Sequence, residues 1–149
     1  MGLFKASLAV LARFFLSLIF LISGFNQILY WKETEKRFMN VIAEWQAYTV
    51  QSDAIQFMFS FLFHWAPIFL GMISALQLIG ALLLLFGKNE KLGALLLIIV
   101  LAPTTLLVQH FWFSEANIRS LQLSFFLRDL AILGGLLVIV LRGTKERSL

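Results

Sequence analysis

Two ionisable residues, Arg128 and Asp129, stand side by side in the otherwise apolar stretch 123–140, LSFFLRDLAILGGLLVIV. A charged side chain near the middle of a bilayer costs at least about 2.5–3.5 kcal/mol on insertion scales. Such residues are retained either because they join helices through hydrogen bonds or because they mark a ligand, proton or substrate site. The cost of the charge favours the second interpretation.

Polar residues in the other apolar stretches fall at a similar depth. At 1.5 Å per helical residue, Arg128 and Asp129 lie about 10–14 Å below the outer surface. Thr105 and Gln77 fall at a similar depth, and Gln27 and His110 lie just above them. Arg13 is nearer the opposite surface, where its side chain can also snorkel to the head groups. We predict a ligand-binding polar pocket, with no catalytic residue assigned, from the following residues: Arg128, Asp129, His110, Gln27, Gln77, Thr105 and Arg13.

The composition is that of a polytopic membrane protein. Hydrophobic residues make up 60% and charged residues 13% of the 149 residues, against about 25% charged in a soluble domain. The net charge is +4, but no basic cluster is interleaved with exposed aromatic residues. Nucleic acid is therefore not an expected partner, whereas membrane lipid is.

The chain contains no cysteine. Disulfides, thiol nucleophiles, dithiol exchange and Cys-ligated iron–sulfur or zinc sites are excluded for this chain alone. A redox role would therefore require a bound cofactor or a partner subunit.

Four stretches are long and apolar enough to cross a bilayer, since a core of about 30 Å needs about 20 helical residues. The short turns 87–91 and 114–120 favour antiparallel neighbours and hence an up-down bundle. The first stretch resembles a signal peptide in outline, but Arg13 interrupts it and no cleavage site follows, so it is interpreted as a permanent span. The fold class is an all-α membrane protein with a single domain, 1–149, and four transmembrane helices at about 6–29, 66–86, 92–113 and 121–141.

Between the first two spans, the segment 32–65 is predicted to be amphipathic and extracytoplasmic. Apolar residues recur there at helical spacing, which is typical of a helix on the membrane surface or capping a bundle. These residues are Phe38, Met39, Ile42, Trp45 and Tyr48.

Each span carries a stripe of small and polar residues, and a bundle hides such stripes inside. In the fourth span the stripe contains Ser124, Arg128, Ala131 and Gly135. This predicts that Arg128 faces inward and that Asp129 points about 100° further round the helix axis. The other three stripes are Arg13, Ser17, Gly24 and Gln27; Pro67, Gly71, Ser74, Gln77 and Ala81; and Ala94, Ile98, Ala102, Thr105 and Gln109.

The distribution of Lys and Arg predicts the orientation. Both termini and the 87–91 turn carry Lys5, Lys88, Lys91, Arg142, Lys145 and Arg147, against Lys32, Lys36, Arg37 and Arg119 on the other side. By the positive-inside rule, both termini are cytoplasmic.

Two histidines, His64 and His110, lie near the outer ends of different helices. A haem with two His ligands needs such a pair, but haem ligands usually lie deeper, so haem is disfavoured. No carboxylate cluster indicates a metal site. The four Trp residues fall near the outer boundary, where they are typical of an aromatic belt.

Three stretches resemble the DoxX family: LARFFLSLIFLISGFNQI its first helix, LQLIGALLLLFGKNEKLGALLL its second and third, and HFWF with FFLRDLAILGGLL its His-aromatic signature and last helix. The resemblance implies a multi-pass protein of the bacterial cytoplasmic (inner) membrane, related to the small subunit of thiosulfate:quinone oxidoreductases. Two positions depart from the usual pattern. Gln77 stands where many members carry Glu, and Asp129 where many carry Asn, so that a proton role of that Glu would here shift to Asp129 or vanish.

The leading hypothesis is a quinone-interacting subunit of a membrane oxidoreductase complex, with quinone as the expected ligand. Arg128 or Gln27 would donate to a quinone carbonyl, His110 would exchange protons, and Asp129 would orient His110 or Arg128. Phe111, Trp112 and Phe125 would stack on the ring. Electrons would come from a partner subunit, so catalysis by this chain alone is not expected.

Two alternatives stay open. The same pocket could hold a lipid head group or another small molecule in a non-enzymatic protein, with Arg128 paired to phosphate or carboxylate. The chain could also be a scaffold that docks partners through 32–63. The sequence specifies no oligomeric state.

Overall fold

The computed structural model describes residues 2–112 and 114–143, which form six helices and no strand. The helices are α1 Gly2–Leu29, α2 Trp31–Tyr48, α3 Asp53–His64, α4 Ala66–Phe86, α5 Glu90–Val108 and α6 Ala116–Arg142. Four of them, α1, α4, α5 and α6, are long and apolar enough to cross a membrane. The prediction of an all-α membrane bundle is confirmed.

Both predicted bounds of the second span and the predicted end of the first span agree with the structure. The bounds of the third and fourth spans differ from the prediction. α5 ends at Val108 rather than 113, and α6 begins at Ala116 rather than 121. The polar residues that begin α6 continue the helix beyond its apolar stretch, which hydropathy alone does not detect. Phe113, at the predicted end of the third span, and Lys145 and Arg147, from the orientation count, lie outside the described residues.

The spanning helices pack in the order α1, α4, α5, α6. A buried cluster of apolar side chains joins all four: Phe20, Ala81, Leu84, Ala94, Leu97, Leu136 and Ile139. α1 and α6 approach each other at Leu16 and Gly135, where a Cβ on the glycine would lie 3.8 Å from the Leu16 side chain. We call the end of the bundle that carries α2 and α3 the capped end, and the end with the α4–α5 turn the terminal end.

Three of the four predicted inward stripes are largely confirmed by burial. Ser17, Gln77 and Thr105, one from each of those stripes, are all buried. The stripe of α6 was wrong, because Ser124, Arg128 and Ala131 are exposed and Asp129, Leu136 and Ile139 are buried instead. The buried face of α6 is thus turned by about one residue, since its large apolar residues fill the core better than its small ones.

The segment between the first two spans forms a helical hairpin of α2 and α3. α2 packs on α4, α1 and α5, with Ile42 only 1% exposed. Phe38, Met39 and Trp45 are half-buried beside it, whereas Tyr48 is exposed. The amphipathic prediction is confirmed for α2, which closes one end of the bundle.

The closest backbone approach of α4 and α5 depends on two glycines. A Cβ on Gly93 would lie 2.8 Å from the carbonyl oxygen of Gly80 and 2.9 Å from the backbone nitrogen of Leu84. Both neighbours are backbone atoms, so the helices would have to move apart.

Gly93→Ala is therefore expected to destabilise the protein by about 1–3 kcal/mol through overpacking. The matched control is Gly134→Ala, since a Cβ at Gly134 has nothing within 4 Å and alanine favours a helix by about 1 kcal/mol. Thermal unfolding in detergent would measure both. Equal unfolding temperatures for the two variants would contradict the close approach.

Candidate functional site

The carboxylate of Asp129 is the centre of a polar cluster between α5 and α6. Its Oδ2 accepts hydrogen bonds from Gln109 Nε2 at 2.7 Å and from Thr105 Oγ1 at 3.3 Å. Its Oδ1 accepts from Arg128 Nε at 3.1 Å and Nη2 at 3.0 Å. Asp129 is only 6% exposed, so these donors replace the water that the carboxylate loses on burial.

Arg128 lies at the edge of the bundle, which corrects the prediction that it faces inward. Its side chain is 61% exposed, and its guanidinium carbon lies 5.1 Å from the centre of the Phe125 ring. The adjacent Asp129 holds the guanidinium on one side and the aromatic ring faces it on the other, which is a favourable position for a cation. Phe125 therefore contacts Arg128.

A second polar cluster joins α1 and α4. Ser74 Oγ donates to Gln27 Oε1 at 2.8 Å, and Gln27 Nε2 donates to Gln77 Oε1 at 3.4 Å. Gln77 Nε2 in turn donates to the backbone oxygen of Phe20 at 3.0 Å. The two amides are thus oriented by their neighbours, which fixes the polar wall on this side of the bundle.

A cavity of about 1210 Å³, the main cavity, lies within the bundle between these two clusters. Gln27 and Gln77 line it from one side and Arg128 and Asp129 from the other. Most of its other lining residues are apolar, among them Leu16, Phe20, Leu70, Ile73, Val100 and Ile132. Because the exposed Arg128 lines it, the cavity is open at that edge.

A smaller cavity of about 790 Å³, the side cavity, adjoins it at the capped end. It is bounded by α1 and α2 and lined by Ile19, Ile22, Ser23, Asn26, Gln27, Tyr30, Glu33, Thr34 and Arg37. Five of these residues, Ile19, Ser23, Gln27, Thr34 and Arg37, also line the main cavity. The two cavities are therefore adjacent and share part of their walls.

His110 is turned away from Asp129 and towards α2. Its Nε2 lies 2.8 Å from Glu44 Oε2 and its Nδ1 lies 3.3 Å from the backbone oxygen of Leu107. Both neighbours are acceptors, so each contact requires a proton on the ring nitrogen that faces it. The predicted contact between Asp129 and His110 does not form among the described residues, and a haem iron would have to displace one of these two acceptors.

Three aromatic side chains, Trp45, Phe111 and Trp112, cluster near His110. The Trp45 ring meets the His110 ring edge-on at 6.1 Å, and Trp45 Nε1 donates to Leu107 O at 2.8 Å. Phe111 packs on Phe126 at 5.3 Å. Neither Phe111 nor Trp112 lines the main cavity. Trp112 meets Trp45 of the hairpin at 6.3 Å between ring centres.

Arg13 is separate from the Asp129 cluster and lies at the terminal end. Its Nη1 is 3.0 Å from Glu90 Oε2, with side-chain exposures of 13% and 9%. The guanidinium also covers Gly87, the left-handed C-cap of α4 at φ 64°, where a Cβ would collide with it. The pair ties α1 to the α4–α5 turn, which is a structural contact between helices.

The seven predicted site residues thus divide into groups. The structure places Gln27, Gln77, Arg128 and Asp129 on one cavity, with Thr105 holding Asp129 from behind. His110 and Arg13 belong to other clusters, at the capped and terminal ends.

Three interacting residues were missed in the sequence: Glu90, Gln109 and Glu44. Glu90 could have been found because it is an acid at the depth of Arg13, in the first turn of a helix where an acid is favourable. Gln109 belongs to the predicted α5 stripe, but its contact with Asp129 depends on where the helix ends. Nothing in the spacing pairs Glu44 with His110, because Glu44 is on α2 and His110 follows the end of α5.

No group of three or more His, Cys, Asp or Glu side chains within residues 2–112 and 114–143 could hold a metal ion. The polar residues on the main cavity carry hydroxyl, amide, guanidinium and carboxylate groups, which suit hydrogen bonding to an uncharged or anionic organic ligand.

Comparison with known proteins identifies the family. No curated protein and no solved structure matches the chain at a significant level. The family model for DoxX matches residues 8–110, which include most of α1 and all of α2 to α5, with the amide cluster, His110 and the Arg13–Glu90 pair. Because the match covers more than half of the chain, this integral membrane protein belongs to the DoxX family.

Proposed function

We propose that the protein is a quinone-binding subunit of a membrane oxidoreductase. The main cavity is the observation that carries the proposal. It is largely apolar, its volume of about 1210 Å³ slightly exceeds the usual range of ligand pockets, about 300–1,000 Å³, and a few polar groups converge on it. An isoprenoid quinone has the same division between a polar ring and an apolar tail.

The polar groups have distinct roles in this proposal. Arg128 has donors that do not face Asp129, and these would bind one quinone carbonyl. The Gln27–Gln77 pair lies on the other wall, where an amide would contact the second carbonyl. Asp129 would hold Arg128 in place and exchange protons during reduction. His110 has no part in this step, because it faces Glu44.

Reduction of a quinone to a quinol consumes two electrons and two protons. Since the chain has no cysteine, the electrons would come from a redox group on a partner subunit. We place the protein in the inner membrane of a bacterium with both termini in the cytoplasm, supported by Lys88, Lys91 and Arg142 at the terminal end. The capped end would then face the partner.

The first test is mass spectrometry of an organic extract of the purified protein, with an ultraviolet–visible spectrum. Quinone in stoichiometric amount would support the proposal, and its absence together with no saturable binding of added quinone would refute it. Stoichiometric phospholipid that requires Arg128, in a colourless sample, would favour the alternative lipid-binding function. The exposure of Arg128 at the mouth of the cavity suits a phosphate equally well.

Arg128→Lys is expected to fold normally and to bind a short-tailed quinone about tenfold more weakly, because lysine lacks the planar fork of donors. Tryptophan fluorescence quenching, corrected with free tryptophan, would measure the affinity. The matched control is Arg119→Lys on the same helix, since Arg119 is exposed and does not line the main cavity. An equal effect of the two substitutions would exclude Arg128 as a ligand group.

A further inference from the structure

The side cavity carries two opposite charges that do not neutralise each other. Glu33 and Arg37 are exposed, one helical turn apart on α2, and both line this cavity. Residues at this spacing commonly pair, yet among the described residues neither side chain forms a salt bridge. The cavity therefore offers a cation and an anion at the same time.

The junction between the two cavities has more donors than acceptors. The Arg37 guanidinium and the Ser23 hydroxyl both line it, and neither has a hydrogen-bond partner among the described residues. Thr34 already donates to the backbone oxygen of Tyr30 at 2.9 Å. The Gln27 amide is engaged with Ser74 and Gln77. An anionic oxygen at this junction would satisfy two donors that the protein leaves open.

The side cavity also lies at the height of lipid head groups. It surrounds the junction of α1 and α2, and the α1 span ends there at Leu29. Below the polar residues, Ile19 and Ile22 continue its wall towards the hydrocarbon core. This combination, charged groups above an apolar wall, suits an amphiphile whose head is at the membrane surface.

We propose that the side cavity binds a phospholipid whose head group carries a phosphate and a primary amine. The phosphate accepts from Arg37 and Ser23, the ammonium group pairs with Glu33, and an acyl chain lies along Ile19 and Ile22. A head group with a phosphate alone would leave Glu33 unpaired beside a negative charge, so the site discriminates in favour of the zwitterion. Neither Arg128 nor Asp129 lines this cavity, so the proposed head-group contacts do not use the two charged residues assigned to the quinone.

Native mass spectrometry of the detergent-solubilised protein, titrated with short-chain phosphatidylethanolamine or phosphatidylglycerol, tests the proposal. We expect the wild type to prefer the ethanolamine lipid. Arg37→Gln is expected to weaken the binding of both lipids about tenfold. Glu33→Gln is expected to weaken the binding of the ethanolamine lipid alone and so to remove the preference for it.

Lys36→Gln is the matched control, because Lys36 neighbours Arg37 and is exposed, but lines neither cavity. It removes the same charge and should leave both affinities unchanged. An equal loss with Lys36→Gln, no loss with Arg37→Gln, or no preference in the wild type would overturn the site. Displacement of the lipid by soluble phosphoethanolamine at equal concentration would also overturn it, since the acyl chain would then contribute nothing. Quinone titration of Glu33→Gln should be unchanged, because Glu33 lines the side cavity and not the main cavity, which keeps this test distinct from that of the main cavity.

Discussion

Arg13→Met is expected to lower the free energy of unfolding by about 3 kcal/mol, because it removes the guanidinium that pairs with the buried carboxylate of Glu90. The Glu90 side chain is 9% exposed and its oxygen lies 3.0 Å from the guanidinium. The position of Glu90 at the first turn of α5 offsets part of the loss. Denaturation of the detergent-solubilised protein, followed by circular dichroism, would measure it.

A double-mutant cycle separates the pair from the individual side chains. Arg13→Met combined with Glu90→Met should recover most of the stability, because no buried charge then remains. Lys88→Met is the control, since Lys88 is an exposed cation in the same turn and its loss should change stability by less than about 0.5 kcal/mol. A coupling energy near zero would show that the pair behaves as an exposed one.

Asp129→Leu is expected to abolish detectable quinone binding and to cost about 2 kcal/mol of stability, whereas Asp129→Asn is expected to fold within about 1 kcal/mol of the wild type. Leucine removes the acceptor of Thr105, Gln109 and Arg128. Asparagine keeps one acceptor for Arg128. Its amide can donate to Gln109 Oε1, a buried atom with no partner at present, once the Gln109 amide rotates.

Under the proposed function, the folded Asp129→Asn variant should bind quinone about tenfold more weakly than the wild type, because Arg128 is no longer held by a charge. Unfolding and quinone titration would be measured on the same preparations. The control is Asp53→Asn, an exposed acid at the start of α3. Wild-type quinone affinity in Asp129→Leu would contradict the site, and loss of the folded protein in Asp129→Asn would show that the carboxylate is structural.

The sequence alone determined the class of the protein and most of its elements. Spans of about 20 apolar residues can only be helices in a bilayer, because every backbone polar group must be satisfied within the segment. The same patterns predicted α2 as amphipathic and placed Gln77 and Gln27 on the inward stripes of their helices. The residue pattern of one span is enough for these predictions, because a lipid environment allows few alternative structures.

Only the tertiary structure decided which polar residues meet. The face of α6 was mispredicted because the small residues beside Arg128 indicated one side, while Leu136 and Ile139 pack into the core on another. His110 pairs with Glu44 and Arg13 with Glu90 because α2 and the α4–α5 turn approach them in space. Such partners are distant along the chain. The position of a residue along its helix gives its depth in the membrane, but it does not show which neighbouring helix the residue contacts. The sequence therefore determined the layers of the bundle, and the packing of one helix on the next decided the site.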